Sequence, residues 1–452
     1  MLKYQNEIFE TLKKAMRFHS KLNINTSDTL RGMPFGRENR ECLDYVLGKC
    51  KELGFRTKNA SGYYGYAEYG HGDDLVGVFC HLDVVPAGDR ANWHYEPYRL
   101  TIHGNYMYGR GISDAKGPAI ISIYAIKSLI DEGVIFNKRV RLFFGMNEET
   151  GFRGIKLYNE SEEAPIFAIS PEGVFPVAFG EKGNLSIKAR VNVPNDFGFI
   201  SLQGGNVTSI VCDNVILKIK MRDLLETSCK YYKQRHRFFD YSIKDGVCKI
   251  EVSGKACHAS TPDKGENAIS RLFKALEDMG FTEDFITDYN DLFSDYYGKG
   301  LNCNFKDEYG NFTVNIGSIN SFGNRLELDI ETRYPVTIKE ELVVENLTKS
   351  FAKTTYHLNI FAKKEALLLN IDNTLVKICQ EAYEKVTKDY QAKPQVLALR
   401  TYAKFIDNCV AVGGAFPKAN QKIHQPDEEC KISEFFQEGE IIKEIVKQLL
   451  AR

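Results

Sequence analysis

The chain has 452 residues, 43% of them hydrophobic and 26% charged, with a formal net charge of -1. That length exceeds one ordinary core, so two or more domains are expected. The near-neutral balance excludes the strong basic field that nucleic acid or an anionic membrane surface would select.

Taken in chain order, the first element is an amphipathic helix. Ile8, Leu12, Ala15, Met16 and Leu22 recur at roughly helical spacing among charges. This stretch lacks the apolar segment of a signal peptide. No run of about 18 apolar residues follows, so no membrane span is expected. The 11 cysteines are an odd number with no C-x-x-C pair. Reduced thiols and a cytoplasmic location are the expectation. Cys80 and Cys257 precede two histidines of interest, and both read as small structural side chains.

Leu75 to Cys80 is a short apolar run suited to a buried parallel strand. Pro118 to Ile130 reads as a helix, Val140 to Gly145 as a strand and Ile166 to Ile169 as another. This alternation predicts an α/β domain with a largely parallel sheet and flanking helices. From about residue 185 the texture changes. Leu185 to Val193 and Cys248 to Val252 alternate in polarity, and Asn315 to Ile319 pairs with Leu326 to Thr332 around Ser321-Phe322-Gly323-Asn324. This is α+β material. A helix returns at Thr374 to Lys388, followed by a strand at Cys409 to Val412 and a closing helix from Ser433. The reading is a split catalytic domain, residues 1–184 and 365–452, with an inserted α+β lid domain at 185–364.

Five segments carry chemistry. His81-Leu82-Asp83 follows the first strand, and sites in open α/β sheets lie beyond the carboxyl ends of strands. Residues two apart in an extended segment point the same way, so Asp83 could hold the His81 imidazole in one tautomer. Asp114 opens the predicted helix, where an aspartate could equally be an N-cap. Glu148 and Glu149 follow the Val140–Gly145 strand; one could ligate metal while its neighbour takes a proton from water. Glu172 stands at another strand end, and His424 lies in the C-terminal stretch Ile423 to Glu428. Together these histidines and carboxylates supply ligands for two zinc ions. A carboxylate bridging ions about 3.5–4 Å apart is the usual two-metal arrangement.

At this point the chain resembles the dinuclear zinc peptidase family that holds peptidase V-type dipeptidases, carnosinase, aminoacylase, carboxypeptidase G and succinyl-diaminopimelate desuccinylase. The stretches CHLDVVPAGDRANW, YGRGISDAKGPA, MNEETGFRG, GKACHAS, TRYP and IHQPDE carry the resemblance, in that order. It spans nearly the whole chain and is strongest to the peptidase V branch. The resemblance implies that His81 and Glu172 bind one zinc, Glu149 and His424 the other, and Asp114 bridges, with Mn2+ or Co2+ as alternative ions. It implies Asp83 as the group orienting His81 and Glu148 as general base. His258 of the lid would help polarise the scissile carbonyl. Arg333 would bind a substrate carboxylate, and Asn206 matches a substrate-binding asparagine.

Two positions depart from the family pattern. The peptidase V branch carries Asp where this chain has Glu172, and Glu is more usual in the deacylase and carboxypeptidase members. Leu399 and Arg400 replace glycines of a loop whose backbone holds the substrate carboxylate, and close backbone approach is harder without glycine. Arg400 is a candidate substitute anchor, because a guanidinium binds carboxylates with two prongs. The expected activity is hydrolysis of dipeptides or other small peptides, in a monomer or homodimer. The alternatives are an N-acyl amino acid amidohydrolase and an idle peptide-binding member.

Overall fold

The computed structural model describes residues 2–23, 31–419 and 422–452. The chain divides into two compact units, Met1–Gly180 with Leu369–Arg452, and Glu181–Leu368.

The first unit is built on a twisted sheet. Leu75–His81 lies at its centre, every residue buried, as its unbroken apolar run requires. It pairs in parallel with Arg139–Gly145 on one side and Phe167–Ser170 on the other. Cys409–Ala411 continues the parallel set beyond Phe167–Ser170. The flanks are antiparallel: Tyr64–Tyr69 and Arg56–Ala60 extend one side, and Ala178–Glu181 the other. The largely parallel sheet of the sequence reading is therefore its central four strands. Register aligns their ends, since His81 pairs with Gly145 and Ala411 with Ser170. The carboxyl ends of four strands thus open at one edge.

Lys116–Asp131 is buried almost throughout, which suits its run of isoleucines between the sheet and other helices. The closing helix Ile432–Leu450 packs against it. The N-terminal helix is shorter than its pattern suggested. It ends at Ala15, with Ile8, Leu12 and Ala15 fully buried, while Leu22 lies beyond it and is exposed. Lys116 is buried too, its Nζ donating to the carbonyls of Ala15 and Phe18 at 3.1 and 2.7 Å. Ser20 reaches the strand end directly: its hydroxyl donates to the carbonyl of Leu82, and its own carbonyl accepts from Val84 N–H.

The second unit is α+β. Its sheet runs in the order Phe239–Lys244, Val247–Ser253, Asn214–Lys220, Phe199–Gly204, Thr313–Phe322, Arg325–Tyr334, Gly183–Asn192, His357–Lys364, with antiparallel neighbours throughout. The expected hairpin is present, closing on Gly323 and Asn324 with Phe322 opposite Arg325. Gly323 supplies the positive φ, 61°, that a tight turn asks for. Strand residues alternate. Leu185, Ile187, Ala189 and Val191 join Leu326, Leu328 and Ile330 in a core with Leu272, Phe273, Tyr289 and Leu347 of the covering helices. Lys188 and Arg190 instead pair with Glu327, between 2.6 and 2.7 Å.

Candidate metal centre

Seven side chains converge at the aligned strand ends of the first unit. His81 is the last residue of its strand and is buried. Its Nδ1 lies 3.0 Å from the backbone carbonyl of Asp83 and 3.5 Å from the Asp83 carboxylate. The carbonyl contact makes Nδ1 the donor and leaves the lone pair on Nε2. That Nε2 faces Asp114 Oδ1 at 3.0 Å and Glu172 Oε2 at 3.4 Å.

Asp83 has a second task. Its two carboxylate oxygens accept the backbone N–H groups of Glu148 and Glu149, both at 3.1 Å. The turn they pin is tight, with Gly151 N–H and Phe152 N–H both donating to the carbonyl of Asn147. Glu148 and Glu149 are thereby fixed past the end of the Arg139–Gly145 strand.

Asp114 is not a helix cap. The helix begins at Lys116, and Ala115 occupies the N-cap position without a side-chain bond. The Asp114 carboxylate turns instead to two imidazoles, with Oδ1 on His81 and Oδ2 on His424 Nε2, each at 3.0 Å. His424 stands on a loop with φ 63°, a left-handed conformation that a non-glycine residue adopts at some cost. The loop presents Nε2 to both oxygens of Glu149 at 3.2 Å. Glu172 accepts from Ser170 Oγ and from the backbone N–H of Tyr402, the latter at 2.9 Å.

Two residues were given no role from sequence. Glu428 is fully buried and accepts from the backbone N–H groups of Gly111, Ser113 and Asp114 and from Arg110 Nη1 at 2.6 Å. It holds the loop that aims Asp114. Tyr402 binds Glu172 through its backbone and sets its ring edge-on to His81, 6.5 Å between centroids. Its hydroxyl occupies the space where a Cβ on Gly145 would sit, 1.8 Å away, so Gly145 must lack a side chain. That glycine at a strand end was the available signal.

The electrostatics follow from crowding five carboxyl groups around two imidazoles. Burial raises the pKa of Glu148 well above the carboxylate range, and the charge of Glu172 adds to it. Burial, then Asp114, raises Glu149. Burial pushes Glu172 up to about 7. For His424 burial opposes the charged form, but Glu149 and Asp114 outweigh it and carry the pKa up to about 11. His81 is likewise raised well above its usual value against burial, by Asp114 and Asp83. Burial opposes ionisation of Asp114, yet the two imidazoles hold it far below the carboxylate range. The donor set fits divalent cations: ligand atoms of His81, Asp114 and Glu149 all lie within 4.8 Å of one another. Imidazole and carboxylate are zinc ligands, and ion binding would release the extra protons.

Arg400 belongs to the first unit and stacks its guanidinium on Phe152, 4.3 Å from the ring centroid. His258, Asn206 and Arg333 belong to the second unit. Ser260 N–H donates to His258 Nδ1 at 3.1 Å, which leaves the ring proton on Nε2. Arg333 is buried and gives its Nε and Nη2 to Glu331. Asn206 is exposed.

The model of the peptidase family M20/M25/M40 matches residues 77–448, most of the chain and all seven clustered residues. The chain belongs to this family. It is a metallopeptidase, and its first unit carries the family's α/β fold. A similar protein of Bacillus subtilis (strain 168), named "Putative dipeptidase YtjP", is 29% identical over 465 residues, covering 99% of this chain and 98% of that one. Human carnosine dipeptidase 1 has a similar fold, with a TM-score of 0.60 at 17% identity, covering 99% of this chain and 97% of that one. An M20 family metallo-carboxypeptidase, Sso-CP2 from Sulfolobus solfataricus, gives 0.59 at 18%, covering 99% and 100%. Among the described residues no helix is long and apolar enough to cross a membrane.

Proposed function

We propose that this metallopeptidase is a dinuclear zinc dipeptidase that hydrolyses the peptide bond of dipeptides or other small peptides. One observation carries the reading: the two oxygens of Asp114 face two different histidines, each with its own glutamate. His81 and Glu172 would hold one ion, His424 and Glu149 the other, and Asp114 both. Zn2+ is the expected metal, with Mn2+ and Co2+ as alternatives. Such ions would supply Lewis acidity there, polarising a scissile carbonyl and acidifying water.

Two buried carboxylates of the cluster stand outside the two donor sets, Asp83, which is engaged by the backbone N–H groups of Glu148 and Glu149, and Glu148. Glu148 is the carboxylate proposed to take the water proton and return it to the leaving amine. Asp83 keeps it in place through the Glu148 backbone N–H. The family resemblance adds His258 as donor to the substrate carbonyl, and the Nε2–H tautomer suits that task. Arg333 and Asn206 are its candidate substrate contacts, and Nη1 of Arg333 is the donor that Glu331 does not engage. None of the 11 cysteines is in a disulfide, which fits a cytoplasmic protein. A monomer or homodimer is expected.

A second reading rests on Glu172. This position is more usually Glu in the deacylases and carboxypeptidases, so hydrolysis of N-acyl amino acids is the alternative. Metal-stripped protein, reloaded with zinc, manganese or cobalt and assayed on dipeptides, longer peptides and N-acyl amino acids, separates them. Preference for free dipeptides supports the dipeptidase. Preference for N-acyl amino acids establishes the alternative, and inactivity on the whole panel would overturn both.

A further inference from the structure

The loop Leu397–Tyr402 brings a cation to the carboxylate cluster. Tyr402 is locked in place: its N–H is bonded to Glu172 and its ring is held edge-on by Phe143 and Phe152. Thr401 caps the following turn by accepting Ala403 N–H at 3.0 Å. Arg400, one residue earlier, therefore has little freedom in its backbone. Its guanidinium sits over the Phe152 ring, 4.3 Å from the centroid, and Phe152 in turn stacks on Phe405 at 4.5 Å. Phe152 ends the turn that carries Glu148 and Glu149. A stacked guanidinium keeps its edge donors in the ring plane and open to a partner.

Among the described residues Arg400 makes no ion pair and no hydrogen bond, and it is only half-buried. A pre-positioned cation with free donors, stacked on the residue that ends the Glu148–Glu149 turn, is a place for an anionic group of the substrate.

We propose that Arg400 is a specificity-determining residue that binds a carboxylate of the peptide substrate through its guanidinium edge. This rests on the peptidase reading above. A peptide can offer that carboxylate at its C-terminus or on an acidic side chain, and the test distinguishes the two.

Wild type, Arg400→Ala and Arg400→Lys, each loaded with zinc, are assayed on four dipeptides. Two have a neutral side chain and end in a free acid or an amide; two carry an acidic side chain with the same two ends. Circular dichroism and metal content establish that each variant is folded and loaded. If Arg400 reads the C-terminus, Arg400→Ala lowers the ratio of kcat/KM for acid over amide by about 10- to 100-fold, mainly through KM, as loss of a charge-assisted pair does. If it reads a side chain, the ratio of acidic over neutral dipeptide falls instead. Arg400→Lys keeps the charge but loses the planar fork, and recovers only part of either ratio. Equal loss on all four substrates would make Arg400 a tuner of Glu148 and overturn the inference alone. Wild-type inactivity on all four would overturn the peptidase reading and this inference with it.

Discussion

Asp114 and His424 meet at 3.0 Å, Oδ2 to Nε2, although one lies in the first third of the chain and the other near its end. The second oxygen of the same carboxylate lies 3.0 Å from His81. This forked contact turns two histidine–glutamate pairs into a single site.

Removing the fork should therefore affect both ions. In Asp114→Ala, titration of dialysed protein with zinc is expected to show both equivalents binding at least 100-fold more weakly. Second-layer partners of a metal site typically cost 10- to 100-fold, and a shared ligand should cost more. Retention of two tight equivalents would reduce Asp114 to a residue that happens to precede a helix.

Glu428 should matter for stability and for metal together. Glu428→Ala leaves Arg110 buried without its counter-charge and strands the N–H groups of Gly111, Ser113 and Asp114. Breaking a buried pair from one side costs about 3–5 kcal/mol. Urea denaturation of the metal-free protein should show a loss of that order, and zinc affinity should fall because the Asp114 loop is released. An unchanged denaturation midpoint would mean that water takes over the bonds.

Much of this site was legible in sequence because strand ends are legible. Apolar runs located the Leu75–His81 and Arg139–Gly145 strands, so His81, Glu148 and Glu149 were suspect by position. Asp114 was ambiguous, since an aspartate before a helix serves as cap or ligand, and only the tertiary approach of His424 decides between them. The task of Glu428 could not be read, and that of Tyr402 left a mark only at Gly145, whose missing side chain makes room for its hydroxyl. Both residues act on or through backbone N–H groups, which every residue but proline possesses and which leave no mark on residue type. Leu22 misled for the opposite reason, since spacing continued after the helix had ended at Ala15.

Glu438 gives a pH signature outside the metal cluster. It is buried on the closing helix, accepts Gly414 N–H at 3.1 Å, and burial pushes its pKa up to about 7. The folded chain therefore keeps this proton to higher pH than the unfolded chain, whose value is near 4.5. Stability should fall as pH rises from 4.5 to 7 and stay lower above that. At 1.36 kcal/mol per unit the cost is about 3 kcal/mol. Glu438→Gln removes the titration, so denaturation of the variant should lose less stability across that window. Parallel pH profiles would show that Glu438 is ionised at no such cost.

His258 is expected to act on turnover alone. His258→Ala should lower kcat while leaving zinc content and the circular dichroism spectrum at wild-type values, since no proposed ligand is touched. Unchanged kinetics would remove His258 from the reaction.

The central claim is that ion binding and proton transfer reside in adjacent but different glutamates. Glu148→Gln tests it when zinc content and dipeptide turnover are measured on the same preparation. Wild-type zinc content is expected, with turnover reduced by at least the 10²- to 10⁴-fold that general acid–base catalysis supplies. Loss of zinc in proportion to activity, or turnover near wild type, would contradict it.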